Sequence, residues 1–522
     1  MSKSTKGKLS LVGLILMIFT SVYGFNNIPR AFYRMGYASI PWYIIAGLLF
    51  FIPFAFMVTE LGSAFKEEKG GIYSWMEKSV GPRYAFMGTF MWYASYVIWM
   101  FNISTGILVP LSNAIFGETR VLNTLYMSIF GVVWIIALTF ISLHGLDWIS
   151  KVASVGGVAV LAINALLLIG ALIVVIHNGK PATPITFSAF FHSASPIYGA
   201  SAVSVIAFMV YAIFAYGGAE AVGGLVDQTD KPEKNFPKGV ISAALIITIG
   251  YSVMILMVGF AIKYVPGSTF YEGVKKGTEV NLGTSSYVVL NYLGQEVGAA
   301  FGMTHGAAVV LGEWFARILG ISLVCSLLGA FFTLIYSPIK QIIMGTPKEL
   351  WPARLGELDG RGMPRRAMKV QMVFVLFFII LNLILSIANK GAADLFFEFV
   401  TNMTNVSMTL PYLFIVFAFY RFKKNDKIKK PFVIFKSKSF ATFIVVLSMI
   451  VIGFANFFTI IQPLVDYFTG ANKDLGYSVR SFISMIVGPI LFALIANGMM
   501  GRYLKKYPKG EVDRDKEFGI EN

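Results

Sequence analysis

The chain has 522 residues, of which 56% are hydrophobic and only 13% charged, about half the charged share of an ordinary soluble domain. Such a composition excludes a disordered chain and argues against a soluble enzyme, and at about 20 residues per bilayer crossing it leaves room for twelve spans. A net charge of +16 would point to nucleic acid in a soluble protein, but in a membrane protein basic residues first set topology.

Apolar runs predict spans at 9–35, 39–65, 82–116, 124–144, 152–176 and 199–226, then at 239–263, 314–343, 370–388, 393–420, 440–462 and 480–501. The Gly-rich stretch 264–313 reads as a long loop folded over one face. The N-terminal run resembles a signal peptide, but it extends to about residue 35 with no clear cleavage site and is read as the first span. An even number of spans places both termini on one side. Lys and Arg number 32 on that side and ten on the other, with Arg317 inside a span and left aside. This bias predicts cytoplasmic termini and accounts for the basic charge without nucleic acid. The single cysteine, Cys325, lies in an apolar run and reads as a small buried residue.

Two spans are interrupted. SVYGFNNIPRAF (21–32) places a Gly, two Asn and a Pro in the first, and FAYGGAEAVGG (214–224) places two Gly and a carboxylate in the sixth. Pro29 lacks an amide donor and disfavours helix at Ile28, while Gly24, Gly217 and Gly218 permit unwinding. Kinks of this kind also serve plain helix packing. Their positions in spans one and six argue for more, because a five-span repeat puts them in register, and an odd repeat must be inverted. Freed amides at one break suit a carboxylate and freed carbonyls at the other an ammonium, the two ends of an amino acid.

With these breaks stand three further strings: KEEKGGIYSWMEKSVGPRYAF (66–86), DQTDKPEKNFPKG (227–239) and YSPIKQIIMGTPKELWPARL (336–355). Over about 8–500 the chain resembles the amino acid-polyamine-organocation (APC) transporter superfamily, and within it bacterial glutamate:GABA antiporter-like permeases. The resemblance implies an all-α polytopic membrane protein of 12 transmembrane helices. A 5+5 inverted repeat with broken helices 1 and 6 would form a ten-helix core in 1–425, its halves at about 9–176 and 199–420. Two peripheral helices and a cytoplasmic tail would occupy 426–522. The family's first break normally reads Gly-Ser-Gly; here Val22, Tyr23 and Gly24 stand there, which puts a bulky phenol at the site. Phe214 matches the family's gating aromatic, and Ala215, Tyr216 and Gly217 match the carbonyls that hold the substrate amine. With Phe25 these residues form the expected substrate-binding set.

Glu220 lies just past the second break in an otherwise apolar helix, where an unpaired carboxylate is costly. The resemblance gives it a part in proton coupling; a structural acid bonded to unwound backbone is the alternative. Glu60 reads as an interfacial acid paired with a loop cation. Glu313 and Arg317, four apart, read as a structural ion pair. Arg30 and Arg34 either draw an anionic substrate into an outer vestibule or snorkel to the surface. Span ten carries Thr401, Asn402, Thr404, Asn405, Ser407 and Thr409, too many polar residues for a lipid face. In span three Tyr93, Tyr96, Trp99 and Asn102 either line a cavity or pack. The segment 70–81 reads as an interfacial helix, for which the resemblance implies a gate.

Four histidines (144, 177, 192 and 305) lack metal-ligand spacing, and there is no phosphate-binding loop, so neither a metal, a cofactor nor direct use of ATP is expected. Oxygen ligands for sodium exist in span eight at Ser322, Ser326 and Thr333. The lysine that some proton-driven relatives carry in mid-span five is absent: this span has Lys151 only at its start and Asn164 in its interior. The resulting expectation is a secondary active transporter, an antiporter or proton-coupled symporter of amino acids or related amines in the cytoplasmic membrane. A channel or a transport-dead sensor of the same fold is the alternative, and an enzyme is not expected.

Overall fold

A computed structural model describes residues 9–118, 124–144, 146–198, 201–277, 280–352, 354–360 and 362–507. Arg120, part of the charge bias, and the predicted tail beyond 507 lie outside them. The first half holds α1 (Leu11–Val22), α2 (Asn27–Met35), α3 (Ser39–Ala46), α4 (Ile52–Ala64), α5 (Ile72–Ser79), α6 (Pro82–Gly106), α7 (Leu108–Phe116), α8 (Thr124–Ser142) and α9 (Leu146–Asn178). Then come α10 (Ala202–Phe214), α11 (Pro232–Ala261), α12 (Thr269–Lys276), α13 (Ser285–Ala300), α14 (His305–Gly345), α15 (Arg365–Ala388), α16 (Lys390–Thr409), α17 (Pro411–Lys424), α18 (Lys438–Phe468) and α19 (Leu475–Lys506). Among the described residues the fold is helical throughout, apart from a lone parallel bridge between Leu9 and Thr229.

Among the described residues, eleven stretches are long and apolar enough to cross a membrane, with α1 a shorter apolar helix beside them. The sequence predicts twelve spans, and the difference arises at the first break. There α1 stops at Val22, and α2 runs on through the 3-10 turn Gly36–Ala38 and the π-helical segment Gly47–Phe51 into α4. Residues 264–313 are not an open loop. They contain α12 and α13, and α14 begins nine residues earlier than the apolar run suggests, capped by Thr304, which accepts from the Ala307 amide at 3.4 Å. Helix α13 packs on α14 and α9, and part of the Gly and Ser content that reads as loop, Gly273, Ser285, Ser286, Gly294 and Gly298, is buried within these short helices.

Around the breaks, α1 packs on α9, α11 and α14, and α11 packs on α4 and α3. Helix α16 lies between α6 and α19, and α18 lies against α17 and α19. The polar residues of span ten are absorbed in this packing. The Thr409 hydroxyl donates to Asn456 Oδ1 on α18 (2.6 Å), Thr401 to Asn102 Oδ1 on α6 (3.2 Å), and Ser407 to the carbonyl of Met403 (2.7 Å). Only Asn405 of that group is exposed. Arg317 pairs with Glu313 at 3.5 Å and lies over the Trp314 ring, as a structural pair.

Glu60, near the end of α4, meets a cation as expected, Lys423 at the end of α17. The acid is wholly buried, because the connection after α17 folds back over the end of α4. One carboxylate oxygen accepts the Lys423 ammonium at 2.9 Å, and the other accepts the backbone amides of Ile434 and Phe435 at 2.8 Å each. Lys423 also donates to the Phe435 carbonyl at 2.7 Å. A buried charge stripped of its partner is costly. Lys423→Met is therefore expected to lower stability by about 3 kcal/mol, read as a fall in the unfolding midpoint of the purified protein. The double substitution Lys423→Met with Glu60→Gln is expected to recover part of that loss.

Candidate functional site

The two broken helices meet at their breaks. Helix α1 starts under a Ser10 cap (3.1 Å from the Gly13 amide) and ends where Tyr23 turns extended. Pro29 falls in the first turn of α2, where a helix amide has no partner within its own helix. Opposite, α10 starts with a reciprocal Ser201–Ser204 capping box and ends at Phe214. Gly218 then takes a φ of +115°, and a Cβ built there would stand 2.4 Å from the Ser21 carbonyl oxygen. A residue with a side chain meets both a strained backbone and the other broken helix at that point. From Ala219 to Gln228 the chain continues as a ten-residue 3-10 helix, unusually long for that form.

One phenol ties the two breaks together. Tyr251, buried on α11, accepts hydrogen bonds from the Gly24 amide (3.0 Å) and the Asn27 side-chain amide (3.2 Å). Its own proton lies between the carbonyls of Val22 (3.3 Å) and Ala215 (3.2 Å), one from each broken helix. Asn27 is in turn held by the Tyr211 hydroxyl, 3.1 Å from its Oδ1. No hydrogen bond is present to the amides of Phe25 and Asn26 among the described residues, and Asn26 Oδ1 is buried without a partner.

The predicted set is thus gathered in one place, but not all of its side chains face one space. The Tyr23 ring stacks on Tyr251 (centroids 4.6 Å apart), and its hydroxyl donates to Asn164 Oδ1 at 2.8 Å. The extra phenol at the first break is thus a tie to α9 and not an obstruction. Tyr216 turns away to stack on Phe51 (4.8 Å) and donates to the Tyr43 carbonyl at 3.0 Å. Phe25 is buried and Phe214 half-buried. Val22, Gly24, Ala215 and Gly217 contribute backbone at the junction.

Glu220 is wholly buried beside Gly218. Its Oε1 accepts from Trp92 Nε1 (3.0 Å), the Tyr96 hydroxyl (3.0 Å) and the Tyr412 hydroxyl (3.2 Å). Its Oε2 accepts the Gly218 amide at 3.2 Å, a proton shared with Tyr412. Trp92 and Tyr96, one turn apart on α6, and Tyr412 on α17 thereby fasten the second break to two neighbouring helices. Four donors around one side chain match an acceptor-only carboxylate.

On the outer half of α2, Arg30 Nε donates to the Leu282 carbonyl at 2.9 Å. The Arg34 guanidinium lies over the rings of Tyr211 (4.4 Å) and Tyr198 (5.5 Å), with its Nε buried and unbonded. Neither forms an ion pair among the described residues. Sequence reasoning passed over Tyr251, Tyr412 and Trp92 as site residues, since an aromatic in an apolar helix carries no local mark of its partner. Lys340, which falls within the predicted span 314–343, is wholly buried in α14.

This helical arrangement agrees with a family match: residues 9–492 fit the model of the amino acid permease family. The chain belongs to that family. It is 46% identical over 506 residues to an inner membrane transporter, YjeM, of Salmonella typhimurium, covering 95% of this chain and 96% of that protein. It is 23% identical over 427 residues to an aspartate/glutamate permease, AcaP, of Lactococcus lactis subsp. cremoris, covering 80% of this chain and 81% of that one. A glutamate/gamma-aminobutyrate antiporter of Lactococcus lactis subsp. lactis is 22% identical over 486 residues, covering 93% and 89%. The permease is accordingly a multi-pass membrane transporter and not an enzyme.

Tyr251→Phe removes a hydroxyl bonded to both breaks and leaves the Gly24 amide without its partner. A loss of about 1–3 kcal/mol follows from stranding such buried groups. It is expected as a lower unfolding midpoint together with an uptake rate reduced about tenfold or more in reconstituted vesicles. Gly218→Ala is expected to abolish uptake, because the added carbon meets the backbone of α1.

Proposed function

We propose that this permease is a secondary active transporter that moves amino acids across the cytoplasmic membrane by alternating access, with both termini in the cytoplasm. In this reading α1 and α2 together count as the first of twelve spans. A ten-helix core in 1–425 divides into inverted halves at about 9–176 and 199–420, and α18 and α19 in 426–522 are peripheral. The observation that carries the reading is the meeting of two unwound segments around Tyr251. Unpaired backbone at membrane depth is tolerated where it is buried in protein or lines a cavity, and such junctions suit a midplane substrate site.

The free amides of Phe25 and Asn26 hold the substrate carboxylate, and the carbonyls near Ala215–Gly217 hold its ammonium, with the orphaned Asn26 Oδ1 as a further acceptor. Tyr23 and Tyr216 contribute backbone, their rings being engaged elsewhere. Arg30 and Arg34, free of acidic partners among the described residues, favour an acidic substrate. The names of the aspartate/glutamate and glutamate/gamma-aminobutyrate relatives support the same class. Coupling runs by exchange or through a proton on Glu220. The four donors on that carboxylate also support a second role, as the clamp that holds the break to α6 and α17.

Counterflow in proteoliposomes preloaded with one amino acid at a time tests the reading. Labelled glutamate or aspartate is expected to accumulate against its own preload and to exchange more weakly with basic amino acids. Absence of accumulation with every amino acid and amine in the panel would overturn transport. Glu220→Gln separates the two roles. Proton coupling predicts that the pH dependence of exchange flattens, whereas a clamp predicts an equal loss at every pH.

A further inference from the structure

The connection between α17 and α18 carries more charge than the interactions above use. Residues 421–438 hold eight Lys and Arg against a single acid, Asp426. An orientation signal needs only cations on one side of the membrane, and does not need them on an ordered frame. This connection has one. Glu60 accepts the amides of Ile434 and Phe435, which pins the later limb of the connection to α4. Lys438 Nζ lies 2.7 and 3.0 Å from the two Asp426 carboxylate oxygens, so the two limbs close on each other. Lys430 Nζ donates to the Asn425 carbonyl at 2.6 Å and to the Ile428 carbonyl at 3.3 Å.

Three of the eight cations are therefore engaged within the protein: Lys423 on Glu60, Lys430 on backbone carbonyls and Lys438 on Asp426. The other five, Arg421, Lys424, Lys427, Lys429 and Lys436, are exposed, and none forms an ion pair among the described residues. The one acid of the stretch is already taken by Lys438, so the connection presents a surplus of positive charge. Beside it the surface is apolar. Phe440 and Phe443, at the start of α18, are 52% and 60% exposed, and Val446 and Ile450 continue that face along the helix. On a membrane-spanning helix such a stripe faces acyl chains. The Phe440 ring also packs on Phe435, with centroids 6.2 Å apart, which sets the free cations at the end of the stripe, where headgroups meet it.

We propose that the connection 424–436 is a docking surface for anionic phospholipid, with headgroup phosphates on Lys427, Lys429 and Lys436 and acyl chains along Phe440 and Phe443. Each ammonium gains from attraction to an anionic headgroup, and an ordered frame loses little freedom when several are held at once. The proposal rests on the membrane character of the chain alone, so the outcome of counterflow does not bear on it. The permease is incorporated into vesicles of equal phosphatidylglycerol and phosphatidylcholine and extracted in mild detergent, and the lipid it retains is counted by mass spectrometry. Phosphatidylglycerol is expected to be enriched about fivefold at low salt, and the enrichment to fall as ionic strength rises. Lys427→Gln, Lys429→Gln and Lys436→Gln together are expected to return the ratio to that of the vesicles at an unchanged unfolding midpoint. Lys427→Arg, Lys429→Arg and Lys436→Arg together are expected to keep the enrichment. So is a control that removes three other exposed lysines, Lys275→Gln, Lys276→Gln and Lys473→Gln. No enrichment in the parent, or an equal loss in the control, would overturn the proposal. Loss of the enrichment to inorganic phosphate but not to sodium chloride of equal ionic strength would do so too, because that pattern marks a site for free anions.

Discussion

The fold depends on how backbone left over from two interrupted helices is satisfied at membrane depth. Lipid offers no hydrogen bonds, so each freed amide and carbonyl needs a partner within the protein. Tyr251 supplies one hydroxyl that serves both breaks, accepting from Gly24 and donating toward Val22 and Ala215. A phenol does this well because its oxygen has two acceptor positions and one proton, while its ring packs like any apolar side chain. Around it Tyr23 stacks and reaches Asn164, and Tyr211 fixes Asn27, so the junction is tied to α9, α10 and α11.

The same economy appears in the charged groups. Glu220, Glu60 and Lys340 are wholly buried, and each is surrounded by donors or acceptors from other helices. Each joins elements distant in the chain: Glu220 joins the second break to α6 and α17, Glu60 joins α4 to the connection before α18, and Lys340 joins α14 to the 3-10 segment. Between helices in lipid the hydrophobic effect gives little preference for one neighbour over another, so packing and polar bonds fix the arrangement. The three clusters differ in exposure. The Lys340–Asp227 pair has a carboxylate that meets water, whereas the partners of Glu60 close over it.

Much of this was legible in the chain. The spans follow from apolar runs, and the two breaks from Gly, Asn and Pro, because these residues act through local backbone geometry. Glu313–Arg317 followed from helical spacing, and Glu220 stood out as a lone acid. The cation partner of Glu60 was legible in kind, but its burial was not, because the groups that cover it come from a connection more than 360 residues away. The partner of Lys340 was not legible, because a lysine near the end of an apolar run looks the same whether it meets water or a buried carboxylate. Residues 264–313 read as loop because α12 and α13 carry the polar and Gly content of connections, part of it buried where the helices pack closely.

The membrane character of this permease, the approximate course of its spans and the places where two of them unwind are written in the chain. These depend on composition and on the conformational limits of single residues, which hold wherever the residue sits. Which groups complete those breaks was set by the packing of the helices. It turned Tyr23 and Tyr216 away, set Tyr251 between the two carbonyls, and placed Lys340 against Asp227. Those choices are contacts between helices far apart in the chain, and a side chain's type does not name its partner when lipid supplies none.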